Sequence, residues 1–446
     1  MTAAPEDDAL GQQLPSVAVT PPGPKSRAIA ARIANVECPS FEARREARTA
    51  ASGSDQAPIV YARGRGSNVT DVDGNRYIDL TAGFGALAFG YNDPEISSAV
   101  FAQDYALSMA LGDVYAAECK APLLEALASL YPEEGARVLL GSSGADAVTA
   151  ALKTAVLATG KSGVIAFKGS YHGLSHGPLA ACGLSSKFRE PFVQQLNQNV
   201  QFLDYPDGEL SVATASLRAA LRAGDVGAVL IEPVLGRGGC IALTDGYLAA
   251  ARTLCDEGGA LLIADEVWTG MGRSGQVLAS LVATDGLPDV ICLGKALGGG
   301  WPISAMIGRG AVMDAWAAHG GSTIHTSTHA GHPAGTVAAL TVLRRILRDD
   351  WASKNRQLGD RFLAALTREV GADSGTVSGC GLMIGVRVRG GAVRALAVSR
   401  KLLNDGYIVL TGGASGDVLT FTPAFNIDAS LLEAAASAVG HAIRTP

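Results

Sequence analysis

The stretch that decides the fold, residues 260–300, reads ALLIADEVWTGMGRSGQVLASLVATDGLPDVICLGKALGGG. The apolar run at 260–264 predicts a buried strand that ends at Asp265, and the run at 290–293 predicts a second buried strand that is followed by Lys295. A carboxylate and an amine thus follow the ends of two strands, and both are expected to lie in a largely apolar environment.

This pair of charges suggests a particular chemistry. Burial disfavours charged groups, so a lysine at such a position shifts toward its neutral, nucleophilic form. An amine nucleophile beside a fixed carboxylate suits pyridoxal phosphate: Lys295 would form the Schiff base, and Asp265 would keep the ring nitrogen protonated. The residues alone leave an ordinary interpretation open, because a lysine after a strand is often solvated and an acidic pair there often caps a helix or binds a metal.

The sequence around both residues carries a long resemblance. DEVWTGMGRSG (265–275) and GKALGGGWPISA (294–305) resemble the signature of the class III, ornithine- and GABA-type aminotransferases of fold type I. The resemblance implies an α/β fold of the pyridoxal-phosphate-dependent transferase type. Its parts are a mostly parallel sheet flanked by helices and a smaller α/β domain built from both ends of the chain.

The order of predicted elements agrees with this fold. Between residues 137 and 308 short β runs alternate with helical stretches, which is typical of a parallel sheet whose ligand site lies at the carboxyl ends of its strands. Proline-rich residues 1–25 predict a flexible segment or one that lies along a neighbouring surface. The other predicted boundaries are 26–85 for the N-terminal part of the small domain, 86–333 for the large cofactor-binding domain and 334–446 for the C-terminal small domain.

Composition excludes several classes of protein. A net charge of −6 without a long basic run gives no footprint for nucleic acid, and the longest stretch free of Asp, Glu, Lys and Arg, residues 315–343, contains four histidines and Pro333 and cannot span a membrane. The N-terminus has no secretory signal, and the seven cysteines never form a CxxC pair. We therefore expect a cytoplasmic enzyme that acts on small molecules.

The phosphate of the cofactor has a predicted site at Ser143, Gly144 and Ala145, where a strand gives way to a helix. Backbone N–H groups at such a helix start bind anions. SGADA (143–147) resembles the family's phosphate-binding Ser-Gly-Thr/Ser-Glu-Ala. Ala145 lacks the usual hydroxyl, so only its backbone N–H is available. Without the resemblance, Ser143 would be an ordinary helix cap.

The cofactor ring has further predicted neighbours. Tyr171 and His172 begin YHG, which resembles the family's aromatic-His-Gly, whose aromatic ring stacks on one face of the cofactor. Val267 would cover the other face, and Glu232 resembles a glutamate that supports Asp265 or the ring hydroxyl. Taken alone, Tyr171 would be a packing aromatic and Val267 a core residue.

Thr328 predicts a shared active site. STHAGHP (327–333) resembles a family segment whose threonine reaches the phosphate bound by the partner subunit, which implies a homodimer. A loop threonine is otherwise a cap or solvated. His325, His329 and His332 have no carboxylate among them, so we predict no metal site there.

Substrate recognition departs from the family pattern at three positions. Leu174 replaces the arginine that follows aromatic-His-Gly, Arg237 replaces a glutamate, and Thr420 replaces the arginine paired with that glutamate. We hypothesise that Arg237 binds a substrate carboxylate, although a surface arginine would look the same. Phe84, in the sequence GFG, is a second candidate substrate residue.

The resemblance implies a reaction in two halves. An aminotransferase would move an amino group from an amine or amino acid to the enzyme, and then to a keto acid or aldehyde, by a ping-pong mechanism. The alternative within the family is an amino-acid or aminolactam racemase or epimerase, although the relatives concerned carry an aspartate where Arg237 stands. A non-catalytic pyridoxal-binding protein is the other class considered.

Overall fold

The protein is described by a computed structural model for residues 11–282, 284–319 and 321–445. The chain divides into two compact units. The small unit comprises the described residues up to Asp93 and those from Gln357 onward, and the large unit runs from Pro94 to Arg356. The first ten residues of the predicted N-terminal segment lie outside the described residues.

The α-helices that the structure describes are α1 (Pro24–Ala34), α2 (Pro39–Ser52), α3 (Ala82–Gly85), α4 (Pro94–Ala106), α5 (Lys120–Ala128), α6 (Gly144–Thr159), α7 (His176–Ala180), α8 (Leu210–Ala223), α9 (Tyr247–Gly258), α10 (Gly310–Met313), α11 (Pro333–Arg348), α12 (Trp351–Val370), α13 (Gly391–Asn404) and α14 (Ala429–Arg444). Short 3-10 helices cover Ser186–Phe188, Glu190–Gln195, Ala279–Leu281, Thr284–Gly286, Lys295–Gly298 and Asp314–His319. Within the described ranges no helix combines the length and the apolar character that a membrane crossing requires.

The β-strands are β1 (Tyr61–Arg65), β2 (Asn68–Asp71), β3 (Arg76–Asp79), β4 (Arg137–Gly141), β5 (Gly163–Phe167), β6 (Val200–Leu203), β7 (Val226–Ile231), β8 (Val234–Leu235), β9 (Ile241–Ala242), β10 (Leu261–Asp265), β11 (Val290–Leu293), β12 (Ser304–Gly308), β13 (Gly375–Cys380), β14 (Met383–Val388), β15 (Tyr407–Ile408), β16 (Leu410–Gly412) and β17 (Val418–Phe421).

The large unit is built on a seven-stranded sheet in the order β4-β12-β11-β10-β7-β5-β6, in which β12 runs antiparallel to both neighbours. The predicted mostly parallel sheet is therefore confirmed. Its central strands are buried over their full length, because helices cover both faces. Alternate residues of β7 show this directly: Ala228 and Leu230 pack in one apolar cluster with α6, while Val229 and Ile231 pack in another with α8 and α9.

The small unit contains two four-stranded sheets, in the orders β1-β2-β3-β15 and β13-β14-β17-β16. Strand β15 pairs in parallel with β3, so the first sheet combines strands from both ends of the chain. Residues 11–25 lie along this unit. Backbone N–H groups of this segment donate to the side-chain oxygens of Asn68 and Asn75, and Val17 packs against a small apolar cluster of Val69, Tyr77 and Ile408.

Candidate active site

The predicted site residues of the large unit follow the carboxyl ends of its strands. Asp265 is the last residue of β10, and Lys295 comes two residues after β11. Tyr171 and His172 follow β5, and Glu232 follows β7. Strands β5, β7, β10 and β11 are consecutive parallel neighbours, so their ends meet at one edge of the sheet. Residues far apart in sequence are brought together for this reason.

Asp265 is fixed by two hydrogen bonds. Its Oδ2 lies 2.6 Å from Nδ1 of His172, and its Oδ1 accepts a bond of 3.0 Å from the backbone N–H of Val267. Both side chains are buried. Burial lowers the pKa of His172, but the bond to Asp265 and the charges of Asp265 and Glu232 outweigh it, so the net shift of the His172 pKa is upward. The two side chains therefore form a buried, hydrogen-bonded pair.

Glu232 supports two loops. One of its oxygens accepts from the backbone N–H of Tyr171 at 3.3 Å, and the other accepts from that of Gly236 at 3.2 Å. Burial, with a further contribution from the charge of Asp265, raises the pKa of Glu232 to about 7. One carboxylate oxygen of Glu232, one of Asp265 and one ring nitrogen of His172 all lie within 4.8 Å of one another. Glu232 thus bonds to backbone N–H groups around the site, whereas the side-chain partner of Asp265 is His172.

Lys295 has an unusual backbone conformation and a side-chain amine whose pKa is lowered. It opens a 3-10 helix with a φ of 41°, a left-handed conformation that side-chain-bearing residues seldom adopt away from functional sites. Its Nζ lies 4.2 Å from the centre of the Trp268 ring. Burial lowers the pKa of Lys295 to about 8, although the charges of Asp265 and Glu232 act in the opposite direction. At pH 7 about a tenth of this amine is therefore neutral, far more than for an ordinary lysine.

Trp268 is a residue of the site that the sequence analysis did not predict. The residue stands inside the signature, three positions after Asp265, and this position was the available signal. Its contact with Lys295 Nζ joins residues from two adjacent strand ends. A tryptophan gives no indication in sequence of whether its ring packs in a core or faces a functional amine.

Helix α6 begins at the predicted phosphate site. Ser143 caps the helix, with its Oγ accepting from the backbone N–H of Asp146 at 3.2 Å, so the ordinary cap role is present. The backbone N–H groups of Gly144 and Ala145 have no acceptor among the described residues. A Cβ added to Gly144 would lie 2.6 Å from Val267 Cγ1, so only glycine allows this close approach.

Two further close approaches connect the helix start to the other strand ends. A Cβ added to Gly294 would lie 3.4 Å from Gly144 Cα, which places the residue before Lys295 beside the start of α6. A Cβ added to Gly173 would lie 2.7 Å from Cβ of Ala145, which places the segment after His172 against the same turn. The structure therefore brings together the predicted phosphate residues and the residues at the ends of β5, β10 and β11.

Two further predicted residues are Thr328 and Phe84. Thr328 is exposed in a loop of the large unit, and a Cβ added to Gly112 would lie 3.9 Å from its carbonyl oxygen. Phe84 belongs to the small unit, in the single turn α3, where it is exposed and has a φ of 60°. Thr420, also in the small unit, donates a hydrogen bond of 3.1 Å from its Oγ1 to the Leu410 carbonyl.

The histidines of the loop before α11 have ordinary partners. His325 Nε2 lies 3.3 Å from Asp146 Oδ1, and this contact is the main cause that lowers the pKa of Asp146. His332 Nδ1 accepts from the backbone N–H of Ala334, at the start of α11. Sequence reasoning missed the His325–Asp146 pair, because the two residues are far apart in the chain.

A cavity of about 550 Å³ lies elsewhere in the large unit. It is formed by α6, α7, β5 and Ile324, and its walls are almost entirely apolar. The predicted catalytic and cofactor residues are not among those that line it. Chemistry that needs charged and hydrogen-bonding groups is therefore assigned to the strand ends.

The donor set at the strand ends fits pyridoxal phosphate. The two free N–H groups at the start of α6 match a phosphate, the buried Asp265 carboxylate matches a protonated ring nitrogen, and the Lys295 amine matches an aldehyde. Nε2 of His172 is buried and has no hydrogen-bond partner among the described residues. The fold and this site together define an enzyme of the pyridoxal-phosphate-dependent class, fold type I.

Comparison with known proteins gives the family. The profile described as aminotransferase class-III matches residues 49–443. Acetylornithine aminotransferase of Methanosarcina acetivorans is 36% identical over 337 residues, which cover 74% of this chain and 80% of that protein. The solved ornithine aminotransferase of Toxoplasma gondii ME49 is 28% identical with a TM-score of 0.78, covering 86% of this chain and 90% of that one. An omega transaminase from Pseudomonas jessenii in complex with PMP shares the fold, with 23% identity, a TM-score of 0.80 and coverage of 86% and 92%.

The chain belongs to the class III aminotransferase family. It is a pyridoxal-phosphate-dependent aminotransferase that moves an amino group from an amine or amino acid to a keto acid or aldehyde. The expectation from the signature is confirmed, and the racemase alternative is not favoured, because these relatives are aminotransferases.

Proposed function

We propose that the residues at the strand ends perform the transamination in defined roles. With the cofactor bound, Lys295 Nζ would hold its aldehyde, Asp265 would pair with its ring nitrogen, and the N–H groups of Gly144 and Ala145 would hold its phosphate together with Ser143. The observation that carries this proposal is the juxtaposition of the partly neutral Lys295 amine with the His172–Asp265 pair at adjacent parallel strand ends.

The other predicted residues hold the ring. Tyr171 and Val267 would cover its two faces; Glu232 fixes the backbone of Tyr171, and the N–H of Val267 donates to Asp265. His172 orients Asp265 through its Nδ1 and keeps that carboxylate from rotating. When bound, pyridoxal phosphate supplies a cationic ring that withdraws electrons from the substrate carbon.

Lys295 has a second role in this scheme. With an amino substrate bound, the Nζ amine of Lys295 would be free to act as a general base. It would take up the proton released from the substrate carbon and hold it for return to the product. The lowered pKa of Lys295 suits this task, because an amine with a pKa of about 8 is a competent base near neutral pH.

The pH dependence of cofactor attachment tests these roles. Only the neutral amine attacks an aldehyde, and the pKa of Lys295 is lowered to about 8 by burial, opposed by Asp265 and Glu232 and assisted by Arg237 and Arg273. The rate at which pyridoxal phosphate attaches to cofactor-free protein should rise about tenfold per pH unit below pH 8 and level off above it. Stopped-flow absorbance measures this rate. A rise that continues beyond pH 10 would show an ordinary lysine and contradict the assignment.

We further propose a homodimer in which Thr328 reaches the phosphate of the partner subunit. The segment from α4 to α5 carries large exposed apolar side chains, more than an isolated surface usually presents, namely Phe101, Tyr105, Leu111, Val114 and Tyr115. Gly112 of this segment lies beside the Thr328 carbonyl. Burying this apolar segment against a second copy would therefore bring Thr328 into the interface.

A mixed dimer tests the shared site. Lys295→Ala removes the nucleophile, and Thr328→Asp places a negative charge where the phosphate would bind, so each homodimer should be nearly inactive. If Thr328 acts across the interface, a heterodimer of the two variants contains one intact site and should recover about half of the wild-type activity. Two affinity tags allow its purification. A heterodimer no more active than either homodimer, or an active Thr328→Asp homodimer, would contradict the proposal.

A further inference from the structure

Arg237 lies at the tip of a short hairpin beside the site. The hairpin joins β8 and β9, which pair in an antiparallel two-stranded sheet, and Val234, Leu235 and Cys240 are buried. The backbone N–H of Gly236 donates to Glu232, and a Cβ added to Gly236 would lie 2.3 Å from the Trp268 ring. The tip is therefore held against two groups of the active site and has little freedom to move away.

The guanidinium of Arg237 contacts the active site directly. Its Cζ lies 4.5 Å from the centre of the Tyr171 ring, a cation–π distance. Glu232 bonds to the backbone on both sides of this contact, at Tyr171 and at Gly236. The contact with the Tyr171 ring holds the guanidinium beside the site, and a cation–π contact uses none of the guanidinium N–H donors, which stay available to another group.

Arg237 has no acidic partner among the described residues. Other arginines of the large unit do form ion pairs: Arg252 pairs with Asp289, and Arg218 pairs with Glu257. Arg273 also contributes positive charge near Lys295, but it is fully buried, whereas Arg237 is partly exposed. Arg237 is thus the cation beside Lys295 that an incoming molecule can reach.

Resting on the transamination proposed above, we propose that Arg237 is the carboxylate receptor of this enzyme. It binds the carboxylate of an amino-acid donor in one half-reaction and that of a keto acid in the other. The guanidinium edge matches a carboxylate with two parallel hydrogen bonds, which is the strongest such pairing that a side chain offers. The substrate class is therefore amino acids and keto acids, in preference to simple amines and aldehydes.

The test compares substrates with and without a carboxylate. L-Alanine and L-glutamate serve as donors and pyruvate and 2-oxoglutarate as acceptors, and 1-phenylethylamine is the donor without a carboxylate. In Arg237→Gln, KM for the better carboxylate donor and acceptor should rise about 10- to 100-fold, the loss expected for hydrogen bonds to a charged group. The half-reaction with 1-phenylethylamine should lose much less, and only as far as removal of the Arg237 charge raises the pKa of Lys295, because this donor has no carboxylate for the guanidinium to bind.

Two further variants separate recognition from structure. Arg237→Lys keeps the charge without the planar fork, so its KM for carboxylates should lie between those of the wild type and Arg237→Gln. Arg218→Gln is the matched control, since Arg218 forms an exposed pair with Glu257, and it should behave as wild type. Cofactor content, measured by absorbance, should be equal in all of these proteins.

The outcomes are distinct. Equal losses with all substrates, or a loss of cofactor in Arg237→Gln, would mean that the arginine only supports Tyr171, and would overturn the proposal. Unchanged KM values for carboxylates would also overturn it. A wild-type protein that converts no donor at all would contradict the proposed function instead, and the two failures are therefore separable.

Discussion

The Lys295→Ala variant should lose at least about 10⁴-fold in the rate of the amine half-reaction, because the proposed roles make one side chain both the covalent anchor and the proton carrier. Among the described residues of the site no second primary amine is placed to replace it, because the neighbouring cations, Arg237 and Arg273, carry guanidinium groups. The variant should still bind pyridoxal phosphate, since the phosphate and ring contacts come from other residues. Single-turnover absorbance with an amino donor measures the effect.

The control for this prediction is Lys168→Ala. Lys168 is exposed and pairs with Asp204 at 2.7 Å, so its removal should change turnover less than about twofold. If Lys295→Ala kept more than a hundredth of the wild-type rate, the assignment of base and anchor to this residue would be wrong. Addition of a small amine such as methylamine should restore part of the lost proton transfer.

Asp265→Asn should lower the single-turnover rate by about 10²- to 10⁴-fold while the protein remains folded. The amide has the shape of the carboxylate but cannot hold a proton on the ring nitrogen by charge. The change also removes the group that raises the pKa of His172, so that pKa should fall in the variant. Loss of the carboxylate charge and the lower pKa of His172 would both make a protonated ring nitrogen less stable in the bound cofactor.

The matched control here is Asp204→Asn, the exposed partner of Lys168. It should leave the rate unchanged, since an exposed ion pair contributes little. A rate within threefold of wild type for Asp265→Asn would mean that the ring nitrogen does not depend on this carboxylate. An NMR titration of His172 would then show whether the imidazole has taken over the role.

Much of the large unit could be predicted from sequence, because strongly apolar runs of four to six residues separated by helices have few structural alternatives. The runs that became β7, β10 and β11 are buried over their full length. Residues that follow such strands necessarily share an edge of the sheet. For this reason Asp265 and Lys295 could be placed near each other from the sequence, without coordinates.

The direction of a strand was harder to predict than its presence. β12 runs antiparallel to β11, and only residues 294–303 connect them. A parallel crossover needs a dozen or more residues, so the short connection favours the antiparallel arrangement. Hydrophobic patterning carries no information about direction, and the length of the connection was the available signal.

The side-chain pairs of the site could not be predicted for a different reason. His172 and Asp265 are 93 positions apart, and the Arg237–Tyr171 contact joins two loops through a hairpin whose strands have two residues each. Strands that short leave no periodic pattern in a sequence. Such contacts depend on side-chain directions at the edge of a folded sheet, which a linear pattern does not specify.

The central claim, a covalent bond between Lys295 and pyridoxal phosphate, can be tested directly. Borohydride reduction of the cofactor-loaded protein makes this bond permanent, and mass spectrometry of the digested protein then locates the modified residue. We predict one pyridoxyl group per chain on Lys295, and none there after the same treatment of Lys295→Ala. A pyridoxyl group on any other lysine, or an unmodified Lys295 peptide from fully loaded protein, would contradict the account.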